Sequence, residues 1–196
     1  MRVLVASIKG GVGKTAISSC LATYLSSTYV TNDLINVNNS DDVQIEANRK
    51  RIPMQYAKLQ DVVYDFGAMY SQLDSKIAHA AKICDIYVIP TLTDTRSLNG
   101  TIKTFELLNT ESKPIVIIIN NFTKQKKFDD AQQFLKEKLG NVPIFAIRAT
   151  TLFERIAQHG KEWLANIHND KGEWQLIKSK IAHELVYHEI AKIGSK

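Results

Sequence analysis

Val3-Leu4-Val5-Ala6-Ser7-Ile8-Lys9-Gly10-Gly11-Val12-Gly13-Lys14-Thr15 is the stretch whose reading decides the fold. An apolar run of strand length passes into a glycine-rich loop, and an amphipathic segment follows at once. Glycines let consecutive backbone N–H groups close around phosphate oxygens, and the N-terminus of the next helix adds partial positive charge. The cradle is Gly10, Gly11, Val12 and Gly13, continued by the amides of Lys14, Thr15 and Ala16. Lys14 is placed to reach the β- and γ-phosphates, and the Thr15 hydroxyl to ligate Mg²⁺. A glycine-rich turn with incidental lysines is the competing reading, and the order strand, loop, helix weighs against it.

Working outward, Ile17, Leu21, Tyr24 and Leu25 recur at helical spacing, which predicts a helix over 14–26 and a short strand over 28–31. Residues 37–52 are polar and then basic, a loop signal, and 54–59 reads as a short strand or edge segment. Asp61-Val62-Val63-Tyr64-Asp65-Phe66-Gly67 is an apolar strand ending in a carboxylate. One crossover downstream of a phosphate loop, Asp65 is placed to hold Mg²⁺ near Thr15, a usual partnership in phosphoryl-transfer sites. Gly67, lacking a Cβ, can bring its N–H close to a γ-phosphate; a plain strand-end turn is the alternative. A helix over 71–83, a buried strand over 85–90 stopped by Pro90, and a helix over 97–109 follow. Ile115-Val116-Ile117-Ile118-Ile119 is what a central parallel strand covered on both faces should look like. A lysine-rich helix over 126–139, a strand over 143–147 and a terminal helix over 173–193 complete the series. On that last helix Leu176, Ile177, Ile181, Leu185 and Ile190 are expected to form the core stripe. Alternating strands and helices predict a doubly wound, mostly parallel α/β sheet with helices on both faces, built as a single P-loop domain over residues 1–196.

Composition narrows the classes. The chain has 196 residues, 44% hydrophobic and 23% charged, enough for one substantial core. Cys20 and Cys84 stand far apart with no C-x-x-C, so nothing supports a disulfide framework, a zinc site or an iron–sulfur cluster, and the expected compartment is the cytoplasm. No signal-peptide pattern opens the chain, and no apolar run approaches the roughly 18 residues of a membrane span. A net charge of +5 permits contact with nucleic acid or anionic lipid without requiring it. His183 and His188 are five apart, about 140° around a helix, so they do not form a zinc pair. His159, before Gly160, reads as a helix end.

The run K-G-G-x-G-K-T at 9–15 resembles the deviant Walker A motif of the ParA/MinD group of ATPases. An ordinary Walker A would have its first glycine where Ser7 and Ile8 stand. The strand ending at Pro90 and the Asp65 motif are similar to the same group. The resemblance implies that Lys9 reaches across a dimer interface to the partner's nucleotide. It implies a second acid on the strand-2 loop, where the family has D-x-D-P-Q and this chain has Asp33-Leu34-Ile35. If Asp33 matches the second aspartate it positions the attacking water; if it matches the first, Ile35 takes the catalytic place. An Asp that caps a loop is the plain reading. Ala16 stands where a second hydroxyl is usual. By the same resemblance Asn120 or Asn121 reads adenine, and the absence of N-K-x-D favours ATP over GTP; turn formation is the plain reading of both asparagines. Arg148, after the last strand, together with Lys124, Lys126 and Lys127, is the candidate DNA-binding set, with an ion pair the competing reading of Arg148.

The implied function is that of a short ParA for plasmid partition. Mg·ATP joins two copies into a sandwich dimer, the dimer binds DNA non-specifically on the nucleoid, and a ParB-like centromere-binding protein stimulates hydrolysis. Strand 1 begins at residue 2, as in members without an N-terminal helix-turn-helix extension. Two alternatives stay open: a membrane-associated positioning ATPase of MinD type, for which the end Ile193-Gly194-Ser195-Lys196 lacks bulky apolar residues, and a small-molecule ligase of the dethiobiotin synthetase kind. A member that binds ATP but scarcely hydrolyses it is a third, tied to Asp33.

Overall fold

Each apolar run becomes a strand of one sheet. The computed structural model describes residues 1–32, 42–46, 48–66, 75–167 and 174–195. The strands are β1 (Arg2–Val5), β2 (Thr28–Thr31), β3 (Val43–Gln44), β4 (Val62–Asp65), β5 (Ile86–Thr91), β6 (Ile115–Phe122) and β7 (Ile144–Arg148). The helices are α1 (Lys14–Tyr24), α2 (Met54–Ala57), α3 (Ser75–Ile83), α4 (Thr95–Leu108), α5 (Gln125–Leu139), α6 (Leu152–Asn166) and α7 (Trp174–Gly194). Among the described residues the seven strands are parallel in the order β3-β2-β4-β1-β5-β6-β7. The sheet is therefore doubly wound as expected. After β1 the chain builds outward through β2 and β3 and returns through β4, then continues from β5 on the other side of β1. That reversal opens a crevice at the C-terminal end of β1, where ligands of open α/β sheets bind.

Strand alternation divides the core in two. Ile115, Ile117 and Ile119 of β6 pack with Leu4, Tyr64 and Tyr87 beneath α3, α4 and α5. Val116 and Ile118 point the other way and pack with Val3, Val5 and Val63 beneath α1, α6 and α7. A period of two along a strand covered on both faces requires such a continuous apolar run.

Three expectations need correction. Residues 54–57 form a single helical turn rather than a strand. The N–H groups of Tyr56 and Ala57 both reach the Pro53 carbonyl at 3.0 Å, because a proline entering a helix loses no needed donor. The sheet edge is taken by β3 instead. On α7 the inward residues are Leu176, Lys180, His183, Tyr187 and Ile190, while Ile181 and Leu185 are 46% and 64% exposed. Helical phase decides that face; long polar side chains with apolar bodies occupy it and aliphatic ones are left outside. Finally, α6 continues through Gly160, so His159 lies within the helix and its ring sits 5.6 Å from that of Trp163.

Candidate functional site: a phosphate loop at the sheet reversal

Gly11 and Gly13 have φ of 75° and 88°, the left-handed region that L side chains avoid. Gly13 is the N-cap of α1, so the first amides of that helix open onto the loop. A Cβ at Gly13 would also collide with the Asn120 amide nitrogen. Two constraints, one of dihedral and one of space, hold that position to glycine. Lys14 is buried at the start of α1, whereas Thr15 beside it is exposed and Ala16 half-buried.

Asp65 ends β4 in register with Val5 on one side and Thr31 on the other. It follows Val63 by two residues, on the sheet face that α1 covers. The register brings its fully buried carboxylate to the side of the sheet from which Thr15 rises. Tyr29 of β2 donates a hydrogen bond of 2.7 Å to Asp65 Oδ2. Burial, and then the Asp65 charge, push the Tyr29 hydroxyl well above its ordinary range, so it remains a donor to Asp65. Nothing in the isolated tetrapeptide Thr28-Tyr29-Val30-Thr31 signals that role. A carboxylate and a hydroxyl beside a phosphate cradle are the hard oxygen donors Mg²⁺ takes, with phosphate and water filling the remaining positions. Asp65 and Thr15 would hold that ion.

Asn120 belongs to β6 and lies behind the loop. Its Nδ2 donates to the Val12 carbonyl at 3.2 Å, and its buried Oδ1 has no hydrogen-bond partner among the described residues. Asn121 is exposed with φ 55°, at the irregularity that shifts the β6–β7 register between Ile119 and Phe122.

Lys9 differs from Lys14 in its surroundings. It is exposed, and its ammonium donates to the neighbouring Gly10 carbonyl at 3.2 Å. Its backbone is held more firmly: Lys9 N–H donates to Ser7 Oγ at 3.2 Å and Ile8 N–H to Thr104 Oγ1 at 3.0 Å.

Lys124, Lys126 and Lys127 are exposed around the first turn of α5, which carries no acidic residue. Arg148 joins them: its guanidinium donates to Gln125 Oε1 at 2.8 Å and lies 5.1 Å from the Phe122 ring centre. Its packing is thus to an amide and an aromatic face. Asp33 and Gly67 lie outside the described residues; the chain approaches residue 33 from Thr31, the register partner of Asp65. Among the described residues no three His, Cys, Asp or Glu side chains gather as a metal cluster, and no helix is long and apolar enough to cross a membrane.

A family model described as the CobQ/CobB/MinD/ParA nucleotide binding domain matches residues 3–163. The chain belongs to this family. It is thus a nucleotide-binding domain of the ParA/MinD ATPase type, and the glycine-rich loop at 9–15 lies within the matched residues. A search of curated protein sequences returns no match. Among solved structures, the MinD protein of Pyrococcus horikoshii with Mg-ADP is 14% identical, with a TM-score of 0.68 over 100% of this chain and 98% of that one. A plasmid partition protein of Borrelia burgdorferi bound to AMPPNP is 18% identical, with a TM-score of 0.63 over 96% and 98%. The ATP complex of a Cyanothece McdA variant is 14% identical, with a TM-score of 0.65 over 97% and 96%. At such identities the likeness is one of fold, and this ParA/MinD-type domain shares it with proteins of several tasks.

Proposed function

We propose that the protein is an ATP-driven dimerisation switch of the short plasmid-partition kind. The observation that supports this reading most directly is the contrast between two lysines on one loop. Lys14 is buried where its own nucleotide would lie, while Lys9 is exposed with its ammonium on a backbone carbonyl, available to phosphate charge on a second copy. The backbone amides from Gly10 to Ala16 bind and orient the phosphates, Lys14 neutralises charge between the β- and γ-groups, and Lys9 of the facing copy adds to it. Mg²⁺ at Thr15 and Asp65 would supply further charge neutralisation. Phosphoryl transfer needs positioning and charge stabilisation more than covalent help, and these residues offer both. Asp33 is the proposed group that orients the attacking water, and Gly67 the proposed N–H donor to the γ-phosphate. The buried Asn120 Oδ1 suits the adenine amino group, a donor, better than the guanine carbonyl, an acceptor. Lys124, Lys126, Lys127 and Arg148 are the proposed DNA contacts, in a cytoplasmic, nucleoid-bound state, with a ParB-like centromere-binding protein as the stimulating partner.

The test is sedimentation of the protein with ADP and then with ATP and Mg²⁺, each with and without non-specific duplex DNA. An ATP-only dimer that carries DNA down in a salt-sensitive way is expected, and Lys9→Ala should bind nucleotide yet stay monomeric. A Lys9→Ala protein that dimerises like wild type would remove the switch. A second reading, a membrane-associated positioning ATPase, draws on Trp174, Ile181 and Leu185, exposed along α7; ATP-dependent flotation with anionic vesicles, and indifference to DNA, would favour it.

A further inference from the structure

The peptide that carries Lys9 rests on α4, an element the sequence motifs do not touch. Gly100 stands inside that helix, where glycine is the least favourable residue short of proline. Among the described residues beyond the helix backbone and its chain neighbours, the atoms within 4 Å of a Cβ built there are Lys9 Cβ at 3.2 Å and Lys9 N at 3.8 Å. One turn along the same face, Thr104 is fully buried. Its hydroxyl accepts from Ile8 N–H at 3.0 Å and donates to the Gly100 carbonyl at 2.7 Å. Absence of a side chain at 100 and presence of a hydroxyl at 104 thus form a seat for the Ile8–Lys9 peptide. The Cβ of Lys9 is the root of its flexible stem, so fixing that atom fixes the point from which the ammonium reaches.

We propose that Gly100 and Thr104 are positioning residues that aim Lys9 at the nucleotide of a second copy. The inference rests on the trans-acting role of Lys9 above and adds the element that sets it. α4 does not contact phosphate through these residues. It acts through the loop, so its effect falls on assembly of two copies and leaves occupancy of one copy by ADP nearly untouched.

The experiment compares Gly100→Ala, Gly100→Val, Thr104→Val and Thr104→Ser with wild type and Lys9→Ala. Three quantities are read: affinity for Mg-ADP, melting temperature without nucleotide, and dimerisation with Mg²⁺ and a slowly hydrolysed ATP analogue. Gly100→Ala sets a gain in helix propensity against a 3.2 Å approach to Lys9 Cβ, so its melting temperature should stay near that of wild type while it dimerises more weakly. Gly100→Val and Thr104→Val should bind Mg-ADP within about threefold of wild type and dimerise about tenfold more weakly, the range expected of residues that act through a neighbour. Thr104→Ser keeps the acceptor for Ile8 N–H and should restore dimerisation. Wild-type dimerisation by Gly100→Val and Thr104→Val, in conditions where Lys9→Ala fails, overturns the proposal and leaves the trans-acting lysine standing. Wild-type dimerisation by Lys9→Ala overturns both. Should Gly100→Val not fold, Gly100→Ala and the Thr104 pair decide the matter, since equal losses in Thr104→Ser and Thr104→Val would also overturn it.

Discussion

At the residue scale, Asn120 joins two demands in one side chain. Its Nδ2 ties down the Val12 carbonyl in the phosphate loop, and its Oδ1 is a buried acceptor still without a donor among the described residues. Leaving such a group unmet costs about 1–3 kcal/mol. The 6-amino group of adenine would satisfy it, whereas the 6-carbonyl of guanine in the same place would not. ATP should therefore bind at least about tenfold more tightly than GTP, and Asn120→Ala should erase most of that preference, lower the affinity for both nucleotides and reduce stability by about 1 kcal/mol. Competition of ATP and GTP against a fluorescent ADP checks it; equal binding of the two nucleotides by wild type would remove Asn120 as a reader of the base. The loop residues were legible because their chemistry is local: glycines, Lys14 and Thr15 follow one another in sequence. Their supports were not. Tyr29 meets Asp65 across 36 positions, Ile8 meets Thr104 across 96 and Val12 meets Asn120 across 108. Strand order, which the sequence does not state, brings each pair together.

At the element scale, α7 shows how a helix departs from its hydropathy. The inward stripe takes Lys180, His183 and Tyr187 and leaves Ile181 and Leu185 outside. His183 packs edge-on against Phe153 and Tyr187, and its Nδ1 lies 3.3 Å from the Tyr187 hydroxyl. Burial lowers its pKa from 6.5 to about 4. The folded state therefore holds a neutral ring where the unfolded chain takes up a proton. Stability from this group is complete above pH 6.5 and is lost as pH falls from 6.5 toward 4, because the unfolded state binds more protons in that window. Unfolding in urea should show about 2 kcal/mol less stability at pH 5 than at pH 7.5. His183→Phe keeps the ring contacts and removes the titrating nitrogen, so its stability should change far less over the same interval. An equal slope in the variant would place the titration elsewhere. The ends of α1, α4 and α5 lie within about two residues of the sequence reading, since caps and periodicity are local; which face α7 turns inward is set by β7, α1 and α6, and periodicity alone does not carry it.

At the scale of the whole molecule, parallel strands gather the proposed contacts among the described residues at one end of the sheet. The glycine-rich loop follows β1, Asp65 ends β4, Asn120 lies near the end of β6, Lys124, Lys126 and Lys127 follow β6, and Arg148 ends β7. Two of these lysines sit where local physics disfavours them. Lys126 and Lys127 stand in the first turn of α5, at the positive end of the helix dipole, where a cation costs roughly 0.3–1 kcal/mol. An anionic partner offsets that cost. If the partner is DNA held by an ATP dimer, changing both lysines to glutamate removes up to four phosphate contacts per dimer. The slope of log affinity against log salt should then flatten by about 3–4, with a large loss of binding at low salt. The same substitution places negative charge at the positive end of α5, so the helix should gain rather than lose stability. Loss of DNA cosedimentation in a Lys126→Glu, Lys127→Glu protein that melts no lower and still dimerises with ATP cannot then be assigned to unfolding. Unchanged DNA binding with an unchanged salt slope would move the contact surface away from α5 altogether.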